Sequence, residues 1–167
     1  MVGQPGVHPL PPECFTSDDD DGWTPVISLA VDPRNSNTVY AAGSGGIFKS
    51  TDGGISWNTM NSGLSPYACA GGPPCFEPFY VGSLLIDPQN SSTLYATVGH
   101  ASFPIPGGVL RSMDGGATWS QVNEGLPSLE SWRRRLAIDP NTNTLYLATH
   151  DNGVYAMTFI PQQNSLP

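Results

Sequence analysis

The sequence predicts an all-β protein built from a repeated unit of short strands, and three observations support this prediction. One segment is written twice, as Gly-Ile-Phe-Lys-Ser-Thr-Asp-Gly-Gly-Ile-Ser-Trp over residues 46–57 and as Gly-Val-Leu-Arg-Ser-Met-Asp-Gly-Gly-Ala-Thr-Trp over residues 108–119. A Leu…Asp-Pro…Tyr phrase occurs three times, over residues 29–40, 85–95 and 136–146. No window shows a sustained helical period, so the repeats predict stacked units made of strands.

Each unit contains short stretches rich in β-branched and aromatic residues, separated by Asp-Pro, Asn-Ser or Gly-Gly turns. The strands predicted for the first unit are Val26–Val31, Thr38–Ala42, Gly46–Ser50 and Ser56–Met60. Those predicted for the second unit are Gly82–Ile86, Thr93–Val98, Val109–Ser112 and Thr118–Val122. Those predicted for the third unit are Leu136–Ile138, Thr144–Thr149 and Gly153–Phe159, after which the pattern stops.

The repeated Ser-x-Asp-x-Gly phrase is typical of a hairpin turn. Its aspartate can accept backbone N–H bonds across the turn, and its glycines can adopt the positive φ angles that such a turn demands. The tryptophan that follows begins the next strand and offers a large apolar ring for packing between units. We therefore predict a structural role for Ser50, Asp52, Gly54, Trp57, Ser112, Asp114, Gly116 and Trp119.

Residues 50–57 and 112–119 resemble the Asp-box, or BNR, repeat of sialidases, xyloglucan hydrolases, sortilin-type receptors and a photosystem II assembly factor. The resemblance covers roughly residues 23–159. It implies β-propeller blades of four antiparallel strands, about three per chain, with an N-terminal strand at Trp23–Val26 completing the last blade. In that family the box is a turn remote from the catalytic centre, so the resemblance does not by itself imply an enzyme.

The expected organisation is an N-terminal extended segment over residues 1–15, a three-blade unit over 16–160 and a tail over 161–167. The acidic run at 18–21 is expected to form a degenerate turn or a solvated loop, because a calcium site needs several converging oxygens. Three blades are too few for a closed ring. A six-bladed ring of two chains, a filament and a piece of a longer protein all remain open at this point.

Composition excludes several classes of function. The net charge of −8 argues against binding a nucleic-acid backbone, and no apolar stretch reaches the roughly 20 residues of a membrane-spanning helix. We expect no cofactor and no metal, since His8, His100 and His150 show no ligand spacing. No signal peptide is visible in the first residues, so either the protein is intracellular or the chain is a mature form or fragment whose leader is missing. Of these two alternatives we expect the second, and with it an extracellular or periplasmic location.

Three cysteines are present, and two of them frame a short Gly-Pro loop. Cys69 and Cys75 are close enough in sequence to close that loop as a disulfide, which is the predicted state. Cys14 would then be free or paired with another chain.

Insertions lie at the end of the units opposite the repeated turns, over residues 61–81, 99–107 and 123–135. Function on a repeat scaffold usually lies in such loops. The candidate binding residues in these loops are Tyr67, Phe76, Phe79, Tyr80, His100, Phe103, Trp132, Arg133, Arg134 and Arg135. The aromatic residues could stack on sugars, anchor a protein or pack the loops. The arginines could bind a carboxylate or sulfate, or pair with the protein's own acids.

The function predicted from these observations is a non-enzymatic module that binds a protein or a glycan through its loop end. One alternative is a self-assembling structural subunit, which makes a second copy of the chain a predicted partner. The other alternative is a fragment of a glycoside hydrolase, which would need two carboxylates across a cleft. The available carboxylates are Glu77, Glu124, Glu130 and Asp151, and their spacing singles out no pair.

Overall fold

The computed structural model describes residues 26–43, 46–64, 79–100, 107–126, 134–150 and 152–159, which form three antiparallel sheets in chain order. The first sheet contains β1 (Val26–Val31), β2 (Val39–Gly43), β3 (Gly46–Ser50) and β4 (Asn58–Thr59). The second contains β5 (Phe79–Asp87), β6 (Asn90–His100), β7 (Gly108–Ser112) and β8 (Ser120–Gln121). The third contains β9 (Arg135–Asp139), β10 (Thr144–Ala148) and β11 (Val154–Thr158).

Each sheet is a meander in which strands adjacent in sequence are hydrogen-bonded neighbours. The all-β prediction and its division into three units are therefore confirmed. A fourth strand of the third sheet was predicted at Trp23–Val26. Of that segment only Val26 belongs to the described residues, and it begins β1. The region that the structure describes contains no helix long and apolar enough to cross a membrane.

The outer strands are shorter than the sequence predicts, and the aspartate turns explain why. The predicted strand Ser56–Met60 is reduced to the two residues of β4. The backbone N–H of Ser56 donates to the Asp52 carboxylate at 2.9 Å and so does not extend the ladder. In the second sheet the N–H of Thr118 likewise donates to Asp114 at 2.9 Å, and β8 begins only at Ser120.

The first aspartate turn (residues 50–57) is closed by its own side chains. The hydroxyl of Ser50 donates to Asp52 at 2.7 Å and accepts from the N–H of Gly54 at 2.8 Å. The carboxylate of Asp52 also accepts from the N–H of Ile55 at 3.0 Å and from the hydroxyl of Ser56 at 2.5 Å. With φ angles of 75° and 94°, the two glycines at 53 and 54 occupy the left-handed region that favours glycine.

The second aspartate turn (residues 112–119) repeats these bonds. Ser112 donates to Asp114 at 2.8 Å, and Thr118 donates its hydroxyl to the same carboxylate at 2.6 Å. The hydroxyl and backbone N–H of Thr118 lower the pKa of Asp114 to about 2, and those of Ser56 hold the pKa of Asp52 well below its usual value. Both carboxylates are thus ionised at neutral pH and carry no proton for acid catalysis.

The core consists of two apolar clusters, one in each space between adjacent sheets. β5 packs against β1, β2 and β3, and β9 packs against β5 and β6. The cluster between the first and second sheets contains Tyr40, Ala42, Ile47, Leu64, Val81, Leu84, Ile86, Leu94, Ala96, Leu110 and Trp119. The cluster between the second and third sheets is centred on Tyr95, Val109, Leu145 and Leu147. Each sheet is therefore stabilised mainly by its neighbours rather than by itself.

A serine on each of the first two inner strands joins its sheet to the next one. The Ser28 hydroxyl accepts from the N–H of Leu84 at 3.0 Å, and the Ser83 hydroxyl accepts from the N–H of Leu136 at 3.2 Å. Because both serines stand four residues before an Asp-Pro turn, the two joints have the same register.

The two repeated tryptophans differ in environment. Trp119 is 6% exposed, lies in the first cluster and donates its indole N–H to the carbonyl of Met60 at 2.9 Å. Trp57 is half-buried and donates to the carbonyl of Gly54 in its own turn at 3.0 Å. The difference arises because Trp119 has the first sheet beside it, whereas no described sheet precedes that of Trp57.

We expect Trp119→Ala to lower the free energy of unfolding by about 3–5 kcal/mol, because it removes a large buried ring and leaves a cavity. Trp57→Ala is the matched control and should cost about 1–2 kcal/mol, since only part of that ring is withdrawn from water. Urea unfolding followed by circular dichroism measures both values. Equal losses for the two variants would contradict the assigned packing.

We expect the protein to lose stability as the pH falls from about 4 to about 2, because both turn aspartates have lower pKa values in the folded chain than in the unfolded chain. Their contribution is complete above the unfolded pKa and disappears as they become protonated in the fold. Urea midpoints at several pH values measure this loss. Asp114→Asn should flatten the pH dependence, while Glu124→Gln, which removes an exposed carboxylate, should not. An unchanged slope in Asp114→Asn would refute this account.

Candidate functional site

The first two strands of the second sheet bring several predicted binding residues to one place, the loop end. This end is the edge opposite the aspartate turns. There the backbone of Phe79 pairs with that of His100, and Tyr80 pairs with Gly99. The side chain of Tyr80 is half-buried. Residues separated by about 20 positions in the sequence thus become neighbours through strand pairing.

Arg134 lies at the same end but does not face solvent, which corrects the prediction that it binds an external anion or forms part of a surface run. It is 1% exposed, and its guanidinium donates to the carbonyl of Val98 at 2.7 Å. Gly107 lies directly against the guanidinium, where a Cβ atom would overlap its nitrogen. Burial lowers the pKa of Arg134 to about 10, so it remains charged at neutral pH.

Arg134 is therefore a positioning residue that joins Val98 of β6 to Gly107, the residue before β7. Val98 and Gly107 stand at the two ends of the insertion at 99–107, and the arginine contacts both of them. Sequence reasoning could not identify this role, because the signal is a long-range contact between residues that are 36 positions apart.

Arg135 is the exposed neighbour and is held by backbone carbonyls. Its guanidinium donates to Gly82 at 2.6 Å and to the carbonyl of Arg134 at 3.0 Å. One face of this side chain is thus used to attach β9 to the second sheet.

The other predicted site residues lie outside the described residues, and their roles remain predictions. These are Tyr67, Phe76, Phe103, Trp132 and Arg133, the cysteines Cys14, Cys69 and Cys75, and the carboxylates Glu77, Glu130 and Asp151. Phe79 and His100 are placed by their backbone only. Of the candidate carboxylates, Glu124 is described, and it is exposed. The described residues contain no group of His, Cys, Asp or Glu side chains arranged to hold a metal ion.

A groove of about 540 Å³ lies between β11 and the segment that follows β8. Glu124 contributes to its wall, and Phe159 stacks on Tyr95 beside it with ring centroids 5.3 Å apart. In the first two sheets the equivalent strand edge pairs with β4 or β8. The groove therefore has the position of an outer strand, and we assign it no ligand.

We expect Arg134→Leu to lower the free energy of unfolding by about 1–3 kcal/mol, because the carbonyl of Val98 loses its buried donor. Urea unfolding followed by circular dichroism measures this loss. The control is Arg135→Leu, which removes the exposed neighbouring guanidinium and should cost less. Equal stabilities of the wild type and Arg134→Leu would contradict the positioning role.

Comparisons with known proteins place this geometry among propellers. A scan against models of protein families finds no match. The chain is 29% identical over 145 residues to a xyloglucanase of Hypocrea jecorina (strain QM6a), a match that covers 80% of this chain and 16% of that protein. The chain thus spans less than a fifth of the length of this curated relative.

Several solved structures resemble this fold, and the chain again covers only part of each of them. An ancestral GH74 enzyme matches with a TM-score of 0.55 and 23% identity, covering 78% of this chain and 17% of that one. The GH74 enzyme of Niastella koreensis matches at 0.54 with 24% identity, covering 80% and 21%. YCF48 from Cyanidioschyzon merolae matches at 0.53 with 17% identity, covering 80% and 36%. The chain therefore has the fold of β-propeller blades, and its described residues form two four-stranded blades and three strands of another.

Proposed function

We propose that this chain is a non-catalytic section of a β-propeller that binds a glycan of the xyloglucan type through the loop end of its second blade. The observation that carries the proposal is the backbone pairing of Phe79 with His100 and of Tyr80 with Gly99, which brings these residues to one end of that blade. Aromatic rings on a rigid strand framework offer flat apolar faces on which sugar rings can stack. The similarity to a xyloglucanase supports this choice of ligand.

Arg134 supports the proposal because it gives the loop end a fixed base. Its buried guanidinium contacts both ends of the insertion at 99–107, which carries His100 and Phe103. Because Val98 lies in β6, this contact supports the end of the strand that carries His100, and binding costs less when the contacting residues are already ordered.

We propose no glycoside hydrolysis, because the arrangement of the described carboxylates does not favour this reaction. A glycosidase needs one protonated and one ionised carboxyl group on opposite sides of the scissile bond. Asp52 and Asp114 are bound within their own turns and carry no proton at neutral pH. Glu124 is exposed, and the other candidate carboxylates lie outside the described residues.

The proposed function also has a consequence for the location of the protein. A polysaccharide too large to enter a cell is met outside it, so we propose that the protein acts in the extracellular or periplasmic space.

The test is isothermal titration of the chain with xyloglucan oligosaccharides. We expect saturable binding, and Tyr80→Ala should weaken it about tenfold, which corresponds to about 1.4 kcal/mol. Met113→Ala is the control, because it removes an exposed apolar side chain at the opposite end and should leave the affinity unchanged. Circular dichroism checks that both variants are folded.

Two results would overturn the proposal. Failure of the folded wild-type chain to bind the oligosaccharides would remove the ligand assignment. Release of reducing sugars, abolished by Glu124→Gln, would replace binding with the glycoside hydrolase alternative.

A further inference from the structure

The repeat makes it possible to compare the same position in successive blades, and the first blade has an uncovered inner strand. Leu84 and Ile86 of β5 pack against the first blade and are 4% and 8% exposed. Their counterparts in β1 are Leu29 and Val31, which are 66% and 55% exposed. Side chains that form a blade-to-blade joint in the second blade therefore face solvent in the first.

The third blade has the complementary uncovered face. Ile47 and Val109, which face the following blade, are 0% exposed, whereas their counterpart Val154 is 69% exposed. Tyr40 and Tyr95 are 1% and 2% exposed, whereas Tyr146 is 40% exposed. The described blades thus present two apolar faces of opposite kinds, which we name the leading face (Leu29 and Val31) and the trailing face (Tyr146 and Val154).

The joint between the first and second blades shows how such faces fit together. The hydroxyl of Tyr40 donates to the carbonyl of Gly115, in the aspartate turn of the next blade, at 2.9 Å. Gly115 is buried by this contact. The corresponding glycine of the first blade is Gly53, which is exposed, and the corresponding tyrosine of the third blade is Tyr146.

We propose that the trailing face of one copy packs on the leading face of a second copy, with Tyr146 donating to the carbonyl of Gly53 across the joint. A second copy is the occupant because one chain carries apolar residues at the repeat positions that form both halves of the internal joint, together with the tyrosine and the turn glycine that bond across it. Two copies joined in this way at both ends form a closed ring of six blades, within the usual range of 4–8.

The exposed apolar residues of the leading face lie on β1, because Ala41 and Phe48 of the same sheet are buried, and Gly53 in the aspartate turn is exposed as well. This location agrees with the joint between the first and second blades, in which the inner strand β5 contacts β1, β2 and β3 of the preceding blade. By the same arrangement, β1 of the second copy contacts β9, β10 and β11, the strands that carry the trailing face.

The proposed joint between two copies lacks two polar bonds that are present at the joints between blades of one chain. Arg135 stands where Ser28 and Ser83 accept from the next blade, and Ala156 stands where Lys49 donates to Gly115 at 3.1 Å. Each copy also carries a net charge of −8, which opposes association at low salt. We therefore expect assembly that depends on protein concentration and strengthens with salt.

The test is the absolute mass of the full chain by light scattering across a concentration series at about 0.15 M salt. We expect a mass that rises to twice 17.7 kDa and then stays constant. Leu29→Glu and Val154→Glu each place a charge on one face and should raise the dissociation constant at least about a hundredfold. Met113→Glu is the matched control, since Met113 is 66% exposed but belongs to neither face, and this variant should assemble normally.

Mixing the two disrupted variants tests the head-to-tail arrangement itself. Leu29→Glu keeps its trailing face and Val154→Glu keeps its leading face, so the mixture should form a two-chain species although neither variant does so alone. A wild-type chain that stays at 17.7 kDa at all concentrations overturns the proposal. So does a mixture that stays monomeric, or a two-chain species that only one of the two substitutions disrupts, because a symmetric contact would use a single face.

Discussion

Burial of sheet faces against neighbouring sheets is the constraint on which the rest of this structure depends. A meander of four short strands cannot bury both of its apolar faces alone, so each blade relies on the blades beside it. The second blade is covered on both faces, because Leu84 is buried on one side of the sheet and Tyr95 on the other. The first and third blades are each covered by a neighbouring blade on one face only, and Leu29 and Val154 on their other faces are exposed to solvent.

Polar contacts fix the register that this packing uses. Ser28 and Ser83 accept from the following blade at equivalent positions, so the rotation from one blade to the next is repeated rather than adjusted at each joint. The aspartate turns stabilise the outer ends of the blades, because the carboxylates of Asp52 and Asp114 accept hydrogen bonds from donors within the same turn. A carboxylate used in this way stabilises a turn and is lost to acid chemistry.

The two ends of the blades therefore differ in what they can do. The turn end is built from short repeated segments whose aspartates, Asp52 and Asp114, already have hydrogen-bond partners. The loop end carries insertions of different lengths, and the buried Arg134 supports one of them by binding Val98. A charged group is costly to bury, so its placement beside Gly107 indicates that holding this loop matters to the fold.

The sequence by itself determined the repeat, the all-β class and most strand positions, because alternation and turn residues act locally. Val26–Val31 and Gly46–Ser50 lie at their predicted bounds. The outer strands were predicted too long, since the sequence does not show that the N–H of Ser56 binds a carboxylate. Only the tertiary structure decided that Arg134 is buried, that Trp119 is more buried than Trp57, and which two faces remain open. These properties depend on which blade lies beside a residue, and that neighbour is set by chain folding rather than by local sequence.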